Sequence, residues 1–216
     1  MSLSIARLPV SNDTPCATRH VLSVFAESCA IGRPDAGIAV GARELHGRVV
    51  EAVGHHLETG ARLVMARGTV NEIAAAIDTA FVAATRPLLG DVLELARLYR
   101  MVSGHHALRI RLERVTTDSC RKFHVDCVDL RLLCAYHGPG VQWTRDGGTH
   151  IDEAATGDVV LLKGKHAPGW REEGAILHRS PPLSTRPEGE RTRLLLTVDA
   201  ADACGMSAEA PVVIAA

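Results

Sequence analysis

The chain has 216 residues, 46% hydrophobic and 23% charged, and its 24 basic and 25 acidic side chains leave a formal net charge of −1. A balance this even argues against a nucleic-acid face or a polybasic membrane patch, and an aromatic content of 3% argues against a base-stacking platform. The six cysteines are too few and too unevenly spaced for a disulfide scaffold. The first residues lack a charged start followed by an apolar run, and no stretch approaches the roughly 18 apolar residues of a membrane span. The expectation is therefore a cytoplasmic protein with reduced thiols, a single domain over 1–216, with loosely held ends over 1–15 and the last ten residues. Oligomeric state is not legible.

Residues 1–104 read as mainly helical. Leu45, Val49, Val53 and Leu57 recur every four residues and build an apolar stripe that Gly60 can end. Thr69 and Glu72 have capping-box spacing and open a second helix, with Ile73, Ile77 and Phe81 as its buried face. Pro87 ends that helix and can start a third, in which Leu89, Val92, Leu93, Ala96 and Tyr99 share a side. The His55–His56 and His105–His106 pairs read as surface residues.

After Gly104 the hydrophobic period becomes two. Leu108, Ile110 and Leu112 alternate with Arg109, Arg111 and Glu113, as in a strand with one wet face. "DLRLLCAY", "GDVVLLKG", "GAILHRS" and "RTRLLLTVDA" read as further short strands separated by Gly- and Pro-rich turns. The fold class is α+β: helices packed on a β-sandwich or small barrel over 105–200.

The chemistry concentrates in "CRKFHVDCVDLRLLCAY", Cys120 to Tyr136, where charged and metal-ligating groups stand among apolar residues. His124 and Asp126 are two apart, so a strand points both to one face. His178 ends another predicted strand. Two histidines and one carboxylate form the facial ligand set of non-haem iron(II) sites, which leaves open positions for other ligands. A hydrogen-bonded cluster without metal is the alternative. Burying such groups unpaired costs several kcal/mol, roughly, and a cation accounts for them most economically. Arg191 and Arg193, at the start of the last strand, can pair with a carboxylate, or Arg193 can sit at a strand edge with Glu190. Arg131 either faces the ligands and holds an anion or lies on the opposite face; a turn at Cys127–Asp129 decides which.

Cys120, Cys127 and Cys134 recur every seven residues, an odd spacing that alternates strand faces and makes no thiol cage. Cys134 reads as a core thiol. Cys120 shares parity with His124 and can approach a metal. "HGPGVQW" reads as a tight turn, with Trp143 over the barrel mouth. Glu172 and Glu173 are the candidate general bases for a zinc hydrolase using the same three ligands.

The order H-x-D, a Gly-Asp strand, a distal His, then an Arg opening a final apolar strand resembles the 2-oxoglutarate/iron(II) dioxygenases. That resemblance implies a double-stranded β-helix (jelly-roll, cupin-like), with iron(II) on His124, Asp126 and His178. It also implies 2-oxoglutarate held by Arg193, with Arg191 second and Tyr136 assisting, and oxidation of a small-molecule or peptide substrate. The same ligands accept zinc, nickel, manganese or cobalt. "CRKFHVD", "LRLLCAYHGPG", "GDVVLLKG" and "HRSPP" together are also similar to an uncharacterised bacterial family, a domain of unknown function, over roughly 91–199. That family more often reads Gly-Thr-Glu-Trp where this chain has Gly140-Val141-Gln142-Trp143. Its link with zinc-responsive genes implies a third reading: a non-enzymatic zinc-binding protein with a closed site, Cys120 being the candidate fourth ligand.

Overall fold

The computed structural model describes residues 28–203 and 212–215. Helix α1 spans Gly47–Thr59, α2 Val70–Ile77 and α3 Arg86–Ser103. Thr69 and Glu72 form the expected reciprocal capping box. Pro87 lies in the first turn of α3, and Gly104 closes that helix with φ 77°, a left-handed cap that suits glycine. The second helix is shorter than its apolar spacing predicts. It gives way to 3-10 turns at Asp78–Ala80 and Ala83–Thr85. Phe81 turns extended and stacks on His56, with ring centroids 5.5 Å apart, so tertiary packing overrides the helical period. His56, expected at the surface, is fully buried in this contact.

The strands are β1 (Ile38–Gly41), β2 (Leu63–Gly68), β3 (Leu108–Val115), β4 (Leu130–His137), β5 (Gln142–Thr144), β6 (Asp152–Glu153), β7 (Val159–Lys163), β8 (Leu177–Arg179), β9 (Arg193–Ala200) and β10 (Val213–Ala215). They form an antiparallel seven-stranded sheet ordered β1-β7-β4-β9-β3-β2-β10 and a three-stranded sheet ordered β6-β5-β8. The protein is thus a mixed helix-and-sheet fold. The boundary at Gly104 is less sharp than the sequence predicts, because β1 and β2 precede it and join the large sheet. In β2, Val64 and Ala66 are buried while Leu63 and Met65 line the cavity described below. Both faces are apolar, so no polar alternation marks the strand. Of the ends expected to be loosely held, 1–15 lies outside the described residues, and Val213–Ala215 pairs with β2.

The large sheet has two unlike faces. One packs against the helices through Leu108, Ile110, Leu112, Leu130, Leu132, Cys134, Leu194, Leu196 and Val198. At about 25 cal/mol per Å2 of apolar surface removed from water, such a core dominates the stability. The other face meets the small sheet through Leu133, Val160 and Leu162, packed against Val141 and Ile176. That second layer is thinner, and beside it a cavity opens.

Among the described residues no helix is long and apolar enough to cross a membrane, and the described cysteines Cys29, Cys120, Cys127 and Cys134 are free thiols.

Candidate metal centre

His124 and His178 come from segments far apart in sequence and are joined by their own backbones. The His124 amide donates to the His178 carbonyl at 3.0 Å, and the His178 amide donates to the His124 carbonyl at 2.9 Å. This two-bond antiparallel pair fixes both side chains on one face, with ring centroids 4.6 Å apart. The bridge also places His124 alongside β8 at the edge of the small sheet. His124 Nδ1 lies 2.8 Å from the Lys122 carbonyl, a contact that leaves Nε2 as the free lone pair.

Asp126 completes the cluster. Its Oδ1 is 3.5 Å from His124 Nε2, and its Oδ2 is 3.0 Å from His178 Nε2. One ligand atom from each residue lies within 4.8 Å of the other two. The loop carrying Asp126 is anchored by the Lys165 amide, which donates to the Asp126 carbonyl at 2.9 Å. A Cβ at Gly164 would come within 2.2 Å of the Val128 carbonyl and 2.6 Å of the Asp126 carbonyl, so this close approach needs glycine.

Burial alone would raise the Asp126 pKa. The nearby His124 and His178 imidazoles and the Arg131 guanidinium outweigh it and hold the carboxylate well below its ordinary range. The Asp126 carboxylate in turn raises the pKa of His124 against the effect of burial. Asp126 Oδ2 is nevertheless buried with no contact of hydrogen-bond geometry. Two imidazoles and a carboxylate whose donor atoms converge within 4.8 Å are a donor set that fits a divalent cation.

The cluster opens on a cavity of about 490 Å3, walled by both sheets and by β2 and β3. Arg193 reaches this cavity from the start of β9 and is 1% exposed. Its Nε donates to the Pro139 carbonyl at 2.7 Å and its Nη1 to Ser180 Oγ at 2.9 Å. Among the described residues, no carboxylate forms an ion pair with it; burial lowers its pKa to about 10 against the weaker opposing pull of the Glu153 carboxylate. Ser180 is two residues beyond His178 and lines the same cavity, so Arg193 is held next to the segment that carries that histidine. Gly138, with φ 74°, shapes the turn that offers Pro139; a Cβ there would come within 2.2 Å of the Thr192 carbonyl.

Other expected site residues lie elsewhere. Tyr136 faces the helices and is 2% exposed, and its hydroxyl donates to Asp91 Oδ2 at 2.5 Å. It shares strand parity with Leu132 and Cys134 and does not line the cavity. Arg191 is exposed beyond the turn Glu188–Glu190, where its Nε donates to the Arg186 carbonyl. Arg131 does lie on the ligand side, because the irregular stretch at Cys127–Asp129 breaks the parity count. Its guanidinium is directed to carboxylates: Nη1 is 2.7 Å from Asp126 Oδ2, and Nε is 2.6 Å from Asp199 Oδ1.

Cys120 lies on the cavity wall with φ 56°, outside the three-residue cluster. Glu173 borders a separate surface groove with Trp170. Glu172 and Glu173 are both exposed and neither lines the cavity, so they are poorly placed as general bases there. Trp143 pairs with His178 across β5 and β8 and is half-buried against the second layer. Cys134 is a core thiol whose pKa burial raises to about 11. His105, expected at the surface, is half-buried, 2.5 Å from Asp129 Oδ2.

Sequence reasoning missed Ser180 and Asp199. Asp199 is fully buried and takes both Arg131 and Arg109. The signal was present, since a carboxylate in "LLLTVDA" is as costly to bury as those in the His124 segment.

These features define an α+β protein with a His-Asp-His cluster and a buried arginine on one cavity between two antiparallel sheets. The chain belongs to the family described as "Protein of unknown function (DUF1826)", whose model matches residues 28–199. No curated protein matches it. Solved structures similar to it include a Pseudomonas putida prolyl-4-hydroxylase, with 12% identity and TM-score 0.47, covering 82% of this chain and 93% of that one. Another is dioxygenase for auxin oxidation 1 from Arabidopsis thaliana with 2-oxoglutarate, with 11% identity and TM-score 0.41, covering 89% and 83%. A third is a full-length Neurospora crassa protein in complex with alpha-KG, with 14% identity and TM-score 0.40, covering 87% and 73%.

Proposed function

We propose that this protein is an iron(II)- and 2-oxoglutarate-dependent oxygenase acting on a small-molecule or peptide substrate. The carrying observation is Arg193: a buried cation with only neutral acceptors, on the same cavity as His124, Asp126 and His178. A buried cation with no ion-pair partner, acted on only at a distance by Glu153, is costly, and an anionic ligand supplies the missing contact.

The strand order supports a double-stranded β-helix. β7-β4-β9-β3 form the centre of one sheet, and β6-β5-β8 with the His124 bridge form the other. In this reading His124, Asp126 and His178 hold the metal, with zinc or nickel as alternative occupants. Bound iron(II) and keto acid supply the oxidising chemistry. The chain's own residues orient and enclose it. Arg193, steadied by Pro139 and Ser180, binds the distal carboxylate. Leu133, Val141 and Leu195 give the cavity apolar walls that limit water. Tyr136, directed to Asp91, has no part in it.

The test is anaerobic titration of iron(II)-loaded protein with 2-oxoglutarate, followed by the visible metal-to-ligand charge-transfer band. The band is expected in the native protein. In Arg193→Ala, 2-oxoglutarate affinity should fall by roughly 30-fold or more, the scale of a lost buried charge pair. Iron binding without any band rules out this co-substrate.

A further inference from the structure

The cavity holds one more charged group that touches the cluster. Asp199 on β9 is fully buried and accepts Arg131 Nε at 2.6 Å and Arg131 Nη2 at 3.1 Å. It also accepts a hydrogen bond from Arg109. Arg131 Nη1 also lies 2.7 Å from Asp126 Oδ2, an ion pair close in distance but outside hydrogen-bond geometry. Three adjacent strands, β3, β9 and β4, thus supply Arg109, Asp199 and Arg131, and the chain of charges ends at Asp126 in the segment before β4.

We propose that Arg131 is a positioning residue for the metal ligand Asp126, an inference that rests on the metal reading above. With one edge hydrogen-bonded to Asp199 and its charge paired with Asp126, the guanidinium is not arranged to take up the keto acid, the anion-holding role expected of it from the sequence. Instead it sets the rotation of the Asp126 carboxylate. One oxygen faces the cation on the large sheet. The group is thereby turned to give the metal a single oxygen, so that three protein donors leave open positions. The Asp126 backbone is held independently by Lys165 and by the close approach of Gly164, so Arg131 governs the carboxylate and not the loop.

The side chain can be removed without stranding its other partner, because Asp199 retains Arg109. Arg131→Gln is therefore expected to fold. Its zinc affinity, read by competition with a chromophoric chelator, should fall roughly tenfold, at the lower end of the 10- to 100-fold cost of losing a group that orients a ligand. The cobalt(II)-loaded variant should also show a changed visible d–d spectrum, as the carboxylate gains freedom to bind through both oxygens. Arg131→Lys keeps a charge beside Asp126 and should restore part of the native spectrum. A cobalt spectrum and zinc affinity equal to the native protein's would overturn the inference. So would a loss of thermal stability with an unchanged spectrum, since that is the mark of a structural residue. Failure of the native protein to bind either metal would instead overturn the metal reading itself, and with it this inference; metal binding without a keto-acid band would leave the inference standing.

Discussion

The two faces of the large sheet each bury an arginine, and the two arginines live differently. On the helix face Arg43 grips Asp91 with two parallel hydrogen bonds of 2.8 Å, donates to the Gly157 carbonyl, and lies beside the Tyr136 ring. Asp91 also accepts from the Tyr136 hydroxyl. That network is closed, its charges balance, and it ties the segment before α1 to α3 and β4. On the cavity face Arg193 is as buried and has only a carbonyl and a serine hydroxyl. Both environments desolvate a cation, but only Arg43 has a carboxylate in direct contact; Arg193 is acted on by Glu153 without an ion pair. A closed network serves the fold; an open one at a cavity marks a place for a ligand.

Substitutions can break or sharpen that contrast. The largest expected effect is on metal binding: His178→Ala should weaken zinc or iron affinity by more than about 100-fold, measured by chelator competition. Retained affinity would remove the cavity face's claim to a metal. Next, Arg43→Met should cost about 3–5 kcal/mol in urea unfolding, because it leaves Asp91 buried without its cation. Arg193→Met should behave in the opposite way. It relieves an unneutralised buried charge, so stability in the absence of ligand should be unchanged within about 1 kcal/mol or rise, while 2-oxoglutarate binding is lost. Equal destabilisation by the two substitutions would erase the distinction between the faces.

A smaller effect concerns His56, on the helix side. Burial, aided by the Arg114 charge, lowers its pKa below 6.5. The unfolded chain takes up this proton near pH 6.5 and the folded chain only at lower pH. Its neutral burial therefore gives full stability above about pH 6.5 and loses it as pH falls toward the folded pKa. Urea midpoints of the metal-free protein from pH 8 to 5 should show this slope, and His56→Phe should flatten it.

Much of the layout was legible because local rules and tertiary structure agree. The Thr69–Glu72 box opens α2, Gly60 follows α1 and Pro87 starts α3 as expected, although α2 stops at Ile77 and not at Pro87, and the alternation of β3 set its faces. The His124-Asp126-His178 cluster was legible for a different reason: polar groups among apolar residues need an explanation, and spacing put His124 and Asp126 together. Strands β1 and β2 escaped notice because apolar residues on both faces leave no alternation to read. Tyr136 was placed by analogy, whereas its parity with Cys134 turns it to the helices. Phe81 and His56 found each other through tertiary contact, which no local pattern reveals. Arg131 hung on an irregular stretch whose turn the sequence allowed but did not require.

The position of β9 has a consequence for how the molecule assembles. This strand lies between β4 and β3, with β3 registered from Leu108 to Val115 against it and β4 on its other side. Everything N-terminal to residue 193 emerges from the ribosome before the strand that joins those two neighbours. The sheet therefore has a vacant central slot until β9 emerges. The strand that fills it delivers the apolar Leu194, Leu196 and Val198 to the core together with Arg193 to the cavity and Asp199 to Arg109 and Arg131. Completion of the hydrophobic interior and charging of the cavity are thus one event in the life of the chain, and a nascent protein stalled short of residue 193 has neither.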